Sequence, residues 1–406
     1  MIRGDQAEKA LREVEKHYLD VFYQQYSILK RPRDTAIVHI LRAFEMMSSV
    51  GSAYEMWRGN APGALTGIMF DKEALRHALI WVSGGCPEGG DVNQDASDPI
   101  IEEASELLGF ARKYALLWDV HVCIGHRLLY VQYDERQKRF RFHHRDELTA
   151  IPSLRSTVQR AEEQADCSVT DDENSQFFNV LAKAAKQVGP YKLEIDWNVV
   201  ERAEVKRYVA AIMSSYPFEL PKEWGLGGYS LSEYRVVWEA ILGIALVSDR
   251  LHLLGCRLGV ATTLCVDSCV PIFGASHWVD WIAGLSSQGT DTVAAIMEDL
   301  TYDSRLNNPD PSLQPFIPLM GRNLAFSVSC AATSNPERNL MKILNRKASK
   351  KQIYDELSQR KETIFINEVS TLLDSVGLRH VCRRELHEKG RRLTDVDILV
   401  WQKNTG

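Results

Sequence analysis

Residues 361–402 read KETIFINEVSTLLDSVGLRHVCRRELHEKGRRLTDVDILVWQ, and two periodicities meet in this stretch. Tyr354, Phe365, Val369, Leu372, Leu373 and Val376 recur at helical spacing and form one apolar stripe of a long helix over about 351–376. Beyond Gly377 the pattern changes. Leu378–Leu386 and Thr394–Trp401 read as strands separated by the polar turn HEKGRR. Alternation puts Asp395, Asp397, Leu399 and Trp401 on one face of the second strand and Val396, Ile398 and Val400 on the other. A carboxylate within an otherwise apolar strand is costly to desolvate unless a cation or metal pairs with it. Glu362 lies three residues before Phe365 and projects close to the stripe, with Glu368 further toward its edge.

Upstream, NNPDPSLQPFIPL carries four prolines and ends a domain or links two. Asn323–Ser334 reads as a strand and 336–346 as a helix. The order after residue 301 is then strand, helix, helix, strand, strand, which belongs to an α/β segment.

The first 300 residues read as mainly helical. Helices are expected at about 8–30, 35–49, 65–82, 98–118, 152–166, 175–187, 198–215, 230–258, 276–286 and 290–300, from apolar periodicity and capping signals. Pro32 ends the first of them near Lys30. Ser230 and Glu233 have capping-box spacing. Leu128–Tyr133 and Lys138–His143 alternate around DERQ as a β-hairpin, and Tyr191–Asp196 reads as a short strand. The expected divisions are 1–150, 151–300 and 301–406: a multi-helix N-terminal body with one hairpin, then a C-terminal α/β segment.

Composition bounds the function. The chain has 406 residues, 45% hydrophobic and 25% charged, ordinary globular values with room for a sizeable core. Eight cysteines argue against a disulfide scaffold. MIRGDQAEKALREVEKHY is charged from the start and has no apolar core of a secretory signal. The most apolar stretch, from Ile241 to Val270, is interrupted by Asp249, Arg250, His252, Arg257 and Asp267, too many charges for a membrane span. These features imply a cytoplasmic protein. Net charge is −6, but residues 301–406 hold 17 Lys/Arg against 12 Asp/Glu, a basic part on an acidic body of the kind that marks a nucleic-acid face.

The helix bearing Glu362, the strand after it and the strand bearing Asp397 resemble the PD-(D/E)XK superfamily of restriction-endonuclease-like and nuclease-related domains. The resemblance covers about a quarter of the chain. It implies a partial restriction-endonuclease-like core in which Asp397 and Glu362, with Glu368 as a second candidate for the helix position, hold Mg²⁺ through hard oxygen ligands. Such an ion polarises a phosphodiester and activates water. The implied activity is a metal-dependent nuclease acting on nucleic acid, DNA foremost, and suited in a bacterium to phage defence. The family's third strand, with its (D/E)-x-Lys pair, has no counterpart here. Glu204-Val205-Lys206 falls in an expected helix and is a poor substitute. Three explanations stay open: a fragment, a site completed by another chain, or an inactive domain.

Lys342, Arg346, Lys347, Lys350 and Lys351, with Arg391 and Arg392, are the candidate phosphate contacts. Cys265 and Cys269 lack a second pair at zinc spacing and read as buried thiols. His143-His144-Arg145-Asp146 reads as a strand end, His121 and His126 as packing residues, and Glu194 and Asp196 as a weak acidic pair. Two rival readings remain. One is a non-enzymatic scaffold or regulatory subunit with a protein partner or a second copy, built around Trp57, Trp81, Trp118, Trp238, Trp278 and Trp281. The other is a nucleic-acid binder on a degenerate nuclease fold.

Overall fold

The computed structural model describes residues 2–16, 20–47, 62–90, 98–125, 128–144, 171–189, 192–196, 199, 202–214, 224–257, 269–306, 309–388 and 391–401. The chain is mainly helical with small antiparallel sheets and a C-terminal α/β part. No described helix is long and apolar enough to cross a membrane. Two compact units form: residues 1–217 with 232–339, and residues 218–231 with 340–406. The second unit therefore starts later than the expected division at 301, and it includes a short segment from mid-chain.

The first unit begins with β1 (Ile2–Arg3) and α1 (Asp5–Val14), followed by short 3-10 turns at Phe22–Gln25 and Ser27–Lys30. The expected single helix over 8–30 is thus broken. Phe22, Tyr23 and Tyr26 leave helical register and pack on Trp81 and Phe110, with Tyr23 stacked 4.8 Å from Trp81. Next come α2 (Arg33–Met47), α3 (Pro62–Gly85) and α4 (Asp98–Gly125), then the hairpin β2 (Leu129–Asp134) and β3 (Arg139–His144). The expected hairpin is present, and β1 adds a third strand to it through the pair Ile2↔Tyr133. Buried faces of α2, α3 and α4 supply most of one buried apolar cluster, including Ile40, Leu41, Phe44, Leu75, Leu79, Leu107 and Ala111.

Further along are α5 (Asp171–Ala184), the pair β4 (Ala185–Gly189) and β5 (Lys192–Ile195), α6 (Arg202–Ser214) and α7 (Leu231–Arg257). Helix α7 starts one residue after Ser230, where the capping spacing places it. Then follow β6 (Ile272–Gly274), α8 (Ala275–Ser286), α9 (Thr290–Leu300), β7 (Phe316–Pro318), β8 (Asn323–Phe326) and α10 (Val328–Ala332). The expected strand over 323–334 ends at Phe326 and turns helical. Its first half pairs between β6 and β7, in the order β6-β8-β7. Trp278 anchors this sheet: it is fully buried, lies 5.2 Å from the Phe316 ring and donates its indole N–H to the Leu324 carbonyl at 3.1 Å. The expected helix at 152–166, Trp57, His126, Arg145, Asp146 and Cys265 lie outside the described residues.

Two buried carboxylates pin α2 to the chain on either side of β8. Asp34 accepts the Met320 backbone N–H at 2.6 Å. Glu45 accepts the Ser327 hydroxyl at 3.0 Å, the Ser329 backbone N–H at 2.9 Å and the Ser329 hydroxyl. Eleven residues separate the two acids, about three turns, so both lie on one face of α2, roughly 16 Å apart along its axis. Gly90 closes over the same helix start. With φ of 136° and an ideal Cβ only 2.9 Å from the Thr35 nitrogen, the position has no room for a side chain.

Burial raises the Glu45 carboxyl to about 7, against the opposing effect of its serine donors, and nearby Asp249 adds to the rise. The protonated form is favoured on folding, so this contribution is fully present below about pH 4.5 and is lost as pH rises through about 7. In urea denaturation, the stability of the parent relative to Glu45→Gln should fall by about 3 kcal/mol between pH 4.5 and 8; a constant difference refutes the assignment. His77 acts in the opposite direction. Buried beside Trp81 and Tyr114, its imidazole is lowered to about 4 by desolvation and by Arg76. Its contribution is complete above about pH 6.5 and is lost as pH falls toward 4. In the same titration, His77→Phe should flatten the acid-side loss seen in the parent.

Candidate nucleic-acid and metal site

The second unit contains the segment 224–231, most of α11 (Pro336–Arg346), α12 (Lys351–Ser375), β9 (Arg379–Glu388) and β10 (Arg391–Trp401). The long helix and two strands thus form where the alternating and helical periods place them. Helix α12 presents different faces along its length. Ile353, Leu357 and Arg360 share one face. Leu357 is fully buried, and Ile353 lies beside Gly227. Toward the C-terminus, Thr363, Ile366, Ser370 and Asp374 form the face that meets β9. Ser370 contacts Cys382 at 3.1 Å, Asp374 lies 3.7 Å from His380, and Thr363 accepts from Arg383 at 2.6 Å. Ile366, 4% exposed, is buried between these contacts.

Half of the apolar stripe expected to be the packed face is in solvent, with Phe365 56% exposed, Leu372 61% and Val376 61%, while Tyr354, Val369 and Leu373 are half-buried. Two described strands cover only one side of the helix. The side they cover is polar at three of its four positions and is joined by hydrogen bonds as well as by apolar contact.

The ladder register places the acids. Ile398 pairs with Cys382 and Val400 with His380. Paired residues of an antiparallel ladder share a face, so Ile398 and Val400 lie on the face of Cys382 and His380, which meet α12. Asp397 alternates to the reverse face and is exposed. Glu362 and Glu368 are both exposed on α12. Arg383, opposite Asp397 in the register, has a φ of 50°, and this left-handed turn takes it out of the pleat. Its guanidinium lies 3.9 Å from Glu362. The described structure therefore places a cation beside Glu362 and does not bring Glu362 to Asp397. Among the described residues no group of three or more His, Cys, Asp and Glu side chains is arranged to hold a metal ion.

The basic candidates gather more closely. Lys342 and Lys351 are exposed, while Arg346, Lys347 and Lys350 are half-buried. Lys351 bonds to Asn345 at 2.9 Å and pairs with Asp355 at 3.0 Å. The side chains of Arg391 and Arg392 lie outside the described ones.

Of the remaining candidates, Cys269 is buried with no disulfide. His143 stacks 5.2 Å from Tyr130 at the strand end. Asp196 lies 4.0 Å from Lys186. His121 is more than a packing residue: it lies 2.7 Å from Glu15, whose carboxyl burial raises, and it borders a polar cleft of about 490 Å³ with Asp5, Glu8 and Arg12. Helical spacing hides this pair because its members are more than a hundred residues apart.

Comparison with protein-family models, curated proteins and solved structures finds no match. The assignment of elements and faces rests on the geometry itself.

Removing Ile366 should loosen α12 from the hairpin. Ile366→Ala is expected to cost about 2–5 kcal/mol of the second unit's stability, while Phe365→Ala, one residue away, should cost under about 0.5 kcal/mol. Hydrogen exchange on β9 after each substitution checks the contrast. Equal effects would show that the face assignment is wrong.

Proposed function

We propose that the second unit is a nucleic-acid-processing module of the PD-(D/E)XK type, whose catalytic set is closed by groups beyond the described residues. One observation carries this reading. The helix–strand–strand order occurs at the expected positions, and its apolar residues are left uncovered on both layers: Phe365, Leu372 and Val376 on α12, and Leu399 and Val400 on β10, at 43% and 42% exposure. A further strand beside β10 would extend the face that carries Asp397 and could bring a second carboxylate and a lysine to it. In this reading Asp397 is the cation ligand, and Glu362 is a helix acid balanced by Arg383. The substrate is a phosphodiester, and the basic stretch 342–351 attracts it.

A binding-only protein with a nuclease-like core is the second reading, favoured by the placement of Asp397 on the strand face turned away from α12, the helix that carries Glu362. One experiment separates them. The full chain, purified with whatever remains associated, is incubated with plasmid, single-stranded DNA and RNA in Mg²⁺ or EDTA. The proposal expects cleavage in Mg²⁺ alone, reduced at least about a hundredfold by Asp397→Asn. Cleavage that survives EDTA, or that Asp397→Asn leaves unchanged, refutes it. Nucleic-acid binding without cleavage in Mg²⁺ selects the second reading.

A further inference from the structure

We propose that the segment 224–230 and the first three turns of α12 form a nucleic-acid-binding surface, with Arg360 held over Trp224 and Lys350 over Tyr229 as its phosphate grips. The guanidinium carbon of Arg360 lies 4.9 Å from the Trp224 ring centre, and the Lys350 ammonium 4.7 Å from that of Tyr229. A third cation, Lys351, lies 4.5 Å over Tyr354. Three cation–aromatic pairs within one short stretch of fold are far above the usual density of about one per 70–80 residues.

The chain builds this surface deliberately. Trp224 and Tyr229 sit on a tight turn, GLGG, closed by Leu226 N–H to the Tyr229 carbonyl at 2.7 Å and Leu231 N–H to the Trp224 carbonyl at 2.9 Å. Gly227 and Gly228 take φ of 71° and 117°, a conformation that side chains resist. The turn lies against the face Ile353–Leu357–Arg360 of α12, with Gly227 next to Ile353. A mid-chain segment is thereby held beside a basic helix start. Tyr229 is buried, so it fixes Lys350 from below, while Trp224 is half-buried and Arg360 exposed.

The chemistry favours phosphate. A guanidinium lying on an aromatic ring gives that ring its face and keeps its N–H donors in the plane, directed outward in the fork that matches phosphate oxygens. Stacking also holds the long side chain in place before a ligand arrives, which lowers the ordering cost of binding. Charge agrees. Residues 342–361 hold seven Lys/Arg and two Asp/Glu. Of those acids, Asp355 is paired with Lys351 and Glu356 accepts from Gln352 at 3.1 Å. Trp224, half-buried and so still partly open, beside spaced cations suits a strand whose phosphates contact the cations while a base meets the open part of the ring.

This inference rests on the proposed function only for the class of partner, and its test is run without metal. Labelled single-stranded DNA, duplex DNA and RNA are titrated with the full chain in EDTA by fluorescence anisotropy at several salt concentrations. Binding should weaken steeply with salt. Arg360→Ala and Lys350→Ala should each weaken it about tenfold and lower the log–log salt slope by about one. Trp224→Phe, which keeps a ring and the fold, should weaken single-strand binding more than duplex binding. Arg139→Ala, in the other unit, should change nothing, and thermal melts of all variants should match the parent. Unchanged affinity in Arg360→Ala and Lys350→Ala overturns the surface, as does equal binding to polyglutamate or to phosphatidylserine vesicles, which would show an unspecific cationic patch. Asp397-dependent cleavage with unaltered binding in these variants removes the surface and keeps the nuclease reading. Lost binding in the variants, with no cleavage by the parent in Mg²⁺, does the reverse.

Discussion

The two contacts of Cys382 and His380 with α12 set the faces of Asp397, Ile398, Leu399 and Val400 in β10. An antiparallel ladder leaves no freedom here, because a slip of one residue would turn Ile398 and Val400 outward and bring Asp397 in against the helix. Burying Asp397 there would desolvate a carboxylate beside Ser370 and Cys382. The observed register avoids that cost and keeps the acid in water. The same register limits how a metal site could be built: its remaining ligands must join Asp397 on the outer face. Arg383 marks the boundary between the two faces. Its left-handed φ takes it across to Glu362, so the helix acid is already balanced by a protein cation.

The first unit is organised around a comparable constraint on α2. Asp34 and Glu45 lie on one face of that helix and grip the backbone before and after β8. A helix that presented only apolar groups to this region could slide along its axis, since apolar contact is not directional. Two carboxylates with fixed donors remove that freedom. Glu45 is demanding, because burial desolvates it and the charge of nearby Asp249 repels it further. The three donors from Ser327 and Ser329 offset part of that cost, so the sequence around residue 328 must supply hydroxyls and a backbone N–H at the start of a short helix.

Much of this fold was legible in the sequence. Long periodic segments such as α7, α9 and α12 form within a few residues of expectation, since the apolar repeat and the caps agree there. The hairpins 129–144 and 379–401 are equally clear from alternation about polar turns. The failures have a common physical source, which is contact between residues distant in sequence. The run from 8 to 30 keeps helical spacing throughout, yet Phe22, Tyr23 and Tyr26 gain more by stacking on Trp81 and Phe110 than by continuing a helix. LAFSVSCAA reads as one strand, but only its first half finds partners in β6 and β7, and Glu45 claims the serines of the second half.

The site followed the same rule. Alternation correctly separated Asp397 from Ile398 and Val400, and the basic run 342–351 was visible as charge. Neither the period nor the charge could show which side of α12 the hairpin covers, because Phe365, Leu372 and Val376 look like a core stripe until it is known that only two described strands are available to bury them. Nor could they join Trp224 to Arg360, which are separated by 136 positions. An aromatic residue near glycines normally reads as a plain turn. It becomes informative only when the fold sets a cation over its ring, since the ring then restrains that cation in the geometry a phosphate requires. The spacing of charges along a helix states how many phosphates a surface can attract; the rings beneath those charges decide how firmly each is held.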